Sequence, residues 1–166
     1  MDAAYATEPW HEFAVMVGGA AAALAGLLVV AMSINIEQIV AEKALPRRAA
    51  AALIMTVFPS ILSMCILIPD QSTDVLGIEL ILLAAALGAS VPRFNRPSTR
   101  TGHQTVRQWV GSALIPMLLL LVPLLLAGIG MITTSLGGMY WLPVAVFAAL
   151  FGGLVQAWVL LVEIRR

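Results

Sequence analysis

Charged residues are scarce in this chain, where they make up 11% of 166 positions. A soluble globular domain has about a quarter of its residues charged. Here 61% of the residues are hydrophobic, and the mean hydropathy is +0.98. So few charged groups do not cover a water-facing surface of this size, and so apolar a composition excludes intrinsic disorder. The composition therefore predicts an integral membrane protein.

Residues with reactive or metal-binding side chains are also few. The single cysteine, Cys65, excludes a disulfide framework and a cysteine-based metal site. No lysine lies in an apolar run, which excludes a retinal Schiff base. The sequence has no TVGYG filter, phosphate-binding loop or HExxH motif. We therefore expect no enzyme activity, no cofactor and no metal. Because the net charge is +0, we also expect no nucleic-acid partner.

What the chain does have is long apolar runs. A transmembrane helix needs about 20 mainly apolar residues, and five runs of 17 to 24 residues qualify, at 13–35, 49–69, 75–91, 110–132 and 139–162. The longest segment outside them, 92–109, is too short for a soluble domain. The sequence therefore predicts one all-α domain over 1–166, an integral membrane bundle of five transmembrane helices.

The basic residues are distributed unevenly along the chain. All nine lie between the first and second runs, in the loop 92–109, or at the C-terminus. Because basic residues favour the cytoplasmic side, we predict an outside N-terminus and a cytoplasmic C-terminus in the cell (inner) membrane. The arginines of the third loop are candidates for binding anionic lipid headgroups, or they only set this orientation. They are Arg93, Arg96, Arg100 and Arg107.

Small and hydroxyl residues recur at helical spacing on several runs. Such faces are typical of helix packing, and a polar pathway is the alternative function of their hydroxyl groups. The first run has Ala14, Gly18, Ala22 and Gly26 on one face. The third run has two small faces, which indicates a central position or a subunit interface. We therefore expect self-association into a homo-oligomer.

Glu79 is the one ionisable residue inside an apolar run. Such a residue is a functional candidate by default, here as a proton carrier or cation ligand. Alternatively it is shallow, because it follows Asp74 by five residues, about 7.5 Å along a helix. Further candidates for a pathway or ion site, each with packing or ion pairing as the alternative, are Ser90, Thr56, Ser60, Ser63, Asn35, Glu37 and Gln156.

Two functions remain open from the sequence. The first is a homo-oligomeric ion channel or small transporter, with Glu79 and the hydroxyl residues near its pathway. The second is a non-catalytic accessory or structural subunit that packs against a membrane partner. An effect of Glu79→Gln on ion flux distinguishes the two.

Overall fold

The computed structural model describes residues 3–41, 45–94 and 115–164. Their regular structure is helical, with α1 His11–Ile34, α2 Ile36–Ala41, α3 Leu45–Ile66, α4 Thr73–Phe94, α5 Ile115–Thr133 and α6 Leu142–Ile164. Short 3₁₀ turns precede α1 and α6, at Glu8–Trp10 and Gly138–Trp141. Within the described ranges, five helical segments are long and apolar enough to cross a membrane. The all-helical fold with five such helices is therefore confirmed, and it is the pattern of a multi-pass membrane protein.

Prolines explain where the second long helix begins and ends. We predicted a span at 49–69, whereas α3 runs from Leu45 to Ile66. Pro46 is the second residue of α3, where a missing N–H costs no helical hydrogen bond. Pro69 disfavours helical geometry in the residue before it, and the chain turns there with Asp70 at φ 54°. The helix thus begins four residues before the predicted span and ends three residues before its end. Of the predicted fourth span, 110–114 lie outside the described residues.

The five long helices alternate in direction around the bundle. α1 packs on α3, α3 on α6, α6 on α5 and α5 on α4, and α4 packs less closely against α3. A cluster of Ile39, Leu45 and Leu160 places the last turns of α6 beside the start of α3. The starts of α3 and α5 and the ends of α4 and α6 therefore share one end of the bundle. We call it the basic end, because it holds Arg47 at the start of α3 and Arg93 in the last turn of α4.

The opposite end carries exposed carboxylates, and we call it the acidic end. Glu8 and Glu12 lie there at the start of α1. Asp70 and Asp74 lie in and just after the turn between α3 and α4. The bundle is therefore electrically polarised along its axis, as the distribution of charges along the chain predicts.

The central helix of the bundle is α3. The third predicted span corresponds to α4, so the expectation that it is central is wrong for a single copy of the chain. α3 is the most buried of the five long helices and contacts α1, α4 and α6. Its alanine, serine and threonine residues lie on several sides, so α1 and α6 approach closely, while α4 packs against it less closely. On α4 the second small face is open, since Ala86 is exposed. A subunit interface at that face stays a prediction.

Two glycines bring α4 and α5 into backbone contact. A Cβ atom on Gly77 would lie 2.8 Å from the carbonyl oxygen of Gly128. A Cβ atom on Gly128 would lie 2.9 Å from the carbonyl oxygen of Gly77. Only a hydrogen atom fits at either position, as in other close helix crossings between small residues.

Candidate functional site

Glu79 lies in the second turn of α4, near the acidic end. The helix begins after Ser72, whose Oγ accepts a hydrogen bond from the backbone N–H of Val75 at 3.4 Å. Glu79 is half-buried, and the thiol of Cys65 on α3 lies beside its carboxyl group. Its Oε2 atom is buried and has no hydrogen-bond partner among the described residues. The structure therefore leaves one carboxylate oxygen between α3 and α4 available to a proton, a cation or a donor group.

The pairing of Cys65 with Glu79 was missed by sequence reasoning. Cys65 is the residue before the last of α3, and Glu79 is six residues after the first of α4. No spacing signals this pair, because the turn between two helices sets which of their residues meet. In the described ranges no three His, Cys, Asp or Glu side chains come together as metal ligands.

The buried hydroxyl groups of α3 bond to their own helix. Thr56 donates to the carbonyl oxygen of Ala52 at 2.8 Å, and Ser63 donates to that of Pro59 at 2.8 Å. In the part of the chain that the structure describes, Thr56 and Ser63 are the fully buried polar side chains. Each hydroxyl proton is therefore used within α3, and both side chains are buried between packed helices in this conformation.

Two other candidates connect α3 to its neighbours. Ser60 donates to the carbonyl oxygen of Gly18 on α1 at 3.1 Å. Gln156 on α6 donates through Nε2 to the sulfur of Met55 at 3.4 Å. Both are contacts between helices, the structural alternative for polar residues inside an apolar bundle.

The remaining candidates lie toward the basic end. Asn35 donates through Nδ2 to the carbonyl oxygen of Ala31 at 2.8 Å. Glu37 is exposed on α2, and Ser90 donates to the carbonyl oxygen of Leu87 at 3.2 Å. The predicted site residues therefore do not converge on one point, and Glu79 lies apart from these three.

Of the four arginines predicted to bind lipid headgroups, one lies in a helix that the structure describes. Arg93 is in the last turn of α4 at the basic end. The other three, Arg96, Arg100 and Arg107, lie outside the described residues.

Comparison of the chain with protein-family models, with curated proteins and with solved structures finds no significant match. Function is therefore argued from the residues themselves.

The N-terminal segment covers part of the acidic end, a feature that sequence reasoning also missed. The backbone N–H of Met139 donates to the carbonyl oxygen of Ala4 at 2.9 Å. The N–H of Gly137 donates to the Tyr5 hydroxyl at 3.2 Å. The Trp10 ring meets the Tyr140 ring edge to face, with centroids 5.3 Å apart. The segment before α1 is thus bonded to the turn between α5 and α6.

One face of α1 is open. Its buried face consists of Ala14, Val17, Ala21, Ala25 and Leu28. Ala22 and Gly26 are exposed, so the predicted packing face was only partly right. The bond from Ser60 to Gly18 helps to hold α1 at this rotation against α3. What we call the open face has small residues at helical spacing, Gly19, Ala22, Ala23 and Gly26.

Proposed function

We propose that the protein is a non-catalytic subunit of the cell (inner) membrane that packs against the helices of a partner membrane protein. The open face of α1 is the observation that carries this proposal. Cβ atoms added at Gly19 and Gly26 would meet nothing within 4 Å. Small residues at spacings of three and four on an apolar helix are typical of contacts between transmembrane helices.

Contact with lipid alone does not explain why the open face of α1 contains glycines. A glycine inside a helix costs about 0.5–1 kcal/mol relative to alanine, because it loses more backbone freedom. Larger side chains flank the open face on both sides, with Leu27 69% and Val29 44% exposed. A shallow groove between such ridges allows another helix to approach the α1 backbone closely.

The interior of the bundle favours the same proposal. The hydroxyl groups of Thr56 and Ser63 bond within α3, and Ser60 and Gln156 bond between helices. Ser60 and Gln156 thus join helices of one chain, and the protons of the Thr56 and Ser63 hydroxyl groups stay within α3. This arrangement supports association through an outer face of the bundle.

A photoreactive residue placed at Ala23 tests the proposal in living cells. We expect one discrete crosslinked product. Its mass differs from the mass of two copies of the chain. The matched control position is Phe147 on α6, which is 75% exposed and faces away from the bundle. We expect no discrete product there.

The double variant Gly19→Leu, Gly26→Leu removes the groove without filling any space inside the chain. We expect the Ala23 product to disappear while the helical content stays unchanged. A product that survives this variant, or no product at all, contradicts the proposal. A product with the mass of two copies contradicts the proposal that the partner is another membrane protein. It favours a homo-oligomer instead.

A second candidate function is a homo-oligomeric ion channel or small transporter, with its pathway between copies. The specific observation in its favour is Glu79, whose Oε2 atom is buried without a partner among the described residues. Keeping a carboxyl oxygen buried without a partner in an apolar helix is costly, which favours a role for it.

Flux measurements in liposomes test this candidate. We expect Glu79→Gln to reduce proton or cation flux at least about tenfold, since it removes the charge that a passing cation meets. Glu12→Gln is the matched control, because Glu12 is an exposed acid at the same end of the bundle. Equal flux in both variants, or none in the unaltered protein, contradicts the channel.

A further inference from the structure

A groove runs between α3 and α4 on the side of the bundle. Its volume is about 440 Å³, and its walls are almost entirely apolar. Ile54, Val57 and Ile61 line it from α3, and Leu83, Ala86 and Ser90 line it from α4. It is open to the outside, because Ile61 and Ala86 are exposed. The Ser90 hydroxyl bonds to its own helix and adds no free donor.

The groove has the length of one lipid chain within a leaflet. From Leu53 to Ile61, α3 rises about 12 Å. Half of a hydrocarbon core measures about 15 Å. On α3 the groove begins about 10 Å past Arg47, so the end of a chain that enters from the basic end lies between the groove walls.

Arginines continue both walls toward the basic end. Arg47 precedes Ile54 by seven residues, and Arg93 follows Ala86 by seven. Seven residues are almost two full turns, so each arginine position lies on the helix face that lines the groove, about 10 Å further along. Arg47 is exposed. By sequence, the segments at this end carry nine basic residues against the acids Glu37, Glu42 and Glu163, so the charge there is positive.

We propose that this groove binds an anionic phospholipid. One acyl chain lies between α3 and α4, and the phosphate group meets Arg47 at the basic end, where Arg93 in the last turn of α4 adds positive charge. The apolar walls match the chain, the positive charge of both arginines matches the headgroup, and Arg47 can donate paired hydrogen bonds to phosphate oxygens. The site does not depend on the open face of α1 or on Glu79.

Native mass spectrometry of the purified, delipidated full chain tests the site. The probes are phosphatidylglycerol and phosphatidylcholine with identical acyl chains, and glycerol 3-phosphate as the headgroup without chains. We expect one tightly held phosphatidylglycerol per chain, weaker phosphatidylcholine binding and no retained glycerol 3-phosphate. Equal binding of the two lipids, or retention of glycerol 3-phosphate alone, overturns the proposal.

Matched variants separate the two parts of the site. Ala86→Phe fills the groove, whereas Ala85→Phe adds the same ring at a neighbouring exposed position outside it. We expect phosphatidylglycerol binding to be lost in the first variant and kept in the second. Binding that survives Ala86→Phe overturns the assignment of the acyl chain to the groove.

The arginines are tested in the same way. We expect Arg47→Gln or Arg93→Gln to weaken phosphatidylglycerol binding about fivefold, the factor that corresponds to ~1 kcal/mol per basic residue near an anionic surface. Arg166→Gln makes the same change in net charge and is expected to leave binding unaltered. Equal weakening by all three variants means a general charge effect and overturns the headgroup site.

Discussion

At the scale of single residues, the hydroxyl groups and Glu79 behave differently. Thr56 and Ser63 lie in the centre of the bundle and bond to carbonyl groups of their own helix. Glu79 lies nearer the surface and keeps a buried oxygen without a partner among the described residues. A polar residue type within an apolar run therefore does not by itself indicate function. A buried polar atom without a hydrogen-bond partner, such as Oε2 of Glu79 among the described residues, is the observation that marks a candidate site.

Thr56 provides a test of the packing role. We expect Thr56→Val to change the free energy of unfolding by less than about 1 kcal/mol, because valine keeps the shape and the lost hydroxyl bonds only within α3. We expect Thr56→Leu to destabilise by about 1–3 kcal/mol through overpacking. A Cβ atom on Gly153 would already lie 2.6 Å from the Thr56 hydroxyl, so this contact has no spare space.

Equilibrium unfolding in mixed micelles gives both values. If Thr56→Val proves as damaging as Thr56→Leu, the hydroxyl has a role beyond packing, and the assignment of Thr56 to the packed core is wrong.

At the scale of helices, small residues decide which elements approach closely. Gly77 and Gly128 bring α4 and α5 together until each backbone carbonyl faces the other glycine. α1 uses only its alanine-rich side against α3 and leaves the open face without a partner. Small residues thus form a close contact within the chain on α4, whereas on α1 they form an exposed surface.

A matched pair of substitutions on α4 measures this effect. We expect Gly77→Ala to destabilise the protein by about 1–3 kcal/mol, since the added methyl group would overlap backbone and side-chain atoms of α5. At Gly88 the added atom would make an ordinary contact, 3.6 Å from Leu121. There we expect Gly88→Ala to be neutral or stabilising by up to about 1 kcal/mol, because alanine restricts the unfolded chain.

The measurement is the free energy of unfolding of Gly77→Ala and of Gly88→Ala in the same detergent. Equal losses in both variants contradict the close approach of α4 and α5 at Gly77.

At the scale of the whole molecule, the charges are separated along the bundle axis. Arg47 and Arg93 lie at the basic end, and exposed acids such as Glu12 and Asp74 lie at the acidic end. The N-terminal segment bonds to the turn between α5 and α6 and covers part of the acidic end. For a molecule with this polarity we expect an orientation in the membrane with the basic end toward the cytoplasm.

Cysteine labelling in a Cys65→Ala background tests that orientation. Ser135 is exposed in the turn between α5 and α6, and Gln38 is exposed on α2 at the other end. In intact cells, we expect a membrane-impermeant maleimide to label Ser135→Cys and to spare Gln38→Cys until the cells are permeabilised. The reverse pattern contradicts an outside N-terminus.

The sequence by itself determined that this is an all-helical protein with five long apolar helices and an uneven distribution of charge. Those properties follow from local composition, because run length, proline position and residue type act within one segment. Only the tertiary structure decided that α3 is central, that Cys65 meets Glu79, and that Ala22 and Gly26 face outward. These properties depend on how each helix is rotated against its neighbours. That rotation results from contacts between residues far apart in the sequence, such as Ser60 with Gly18. The residue pattern of a single helix does not predict such contacts.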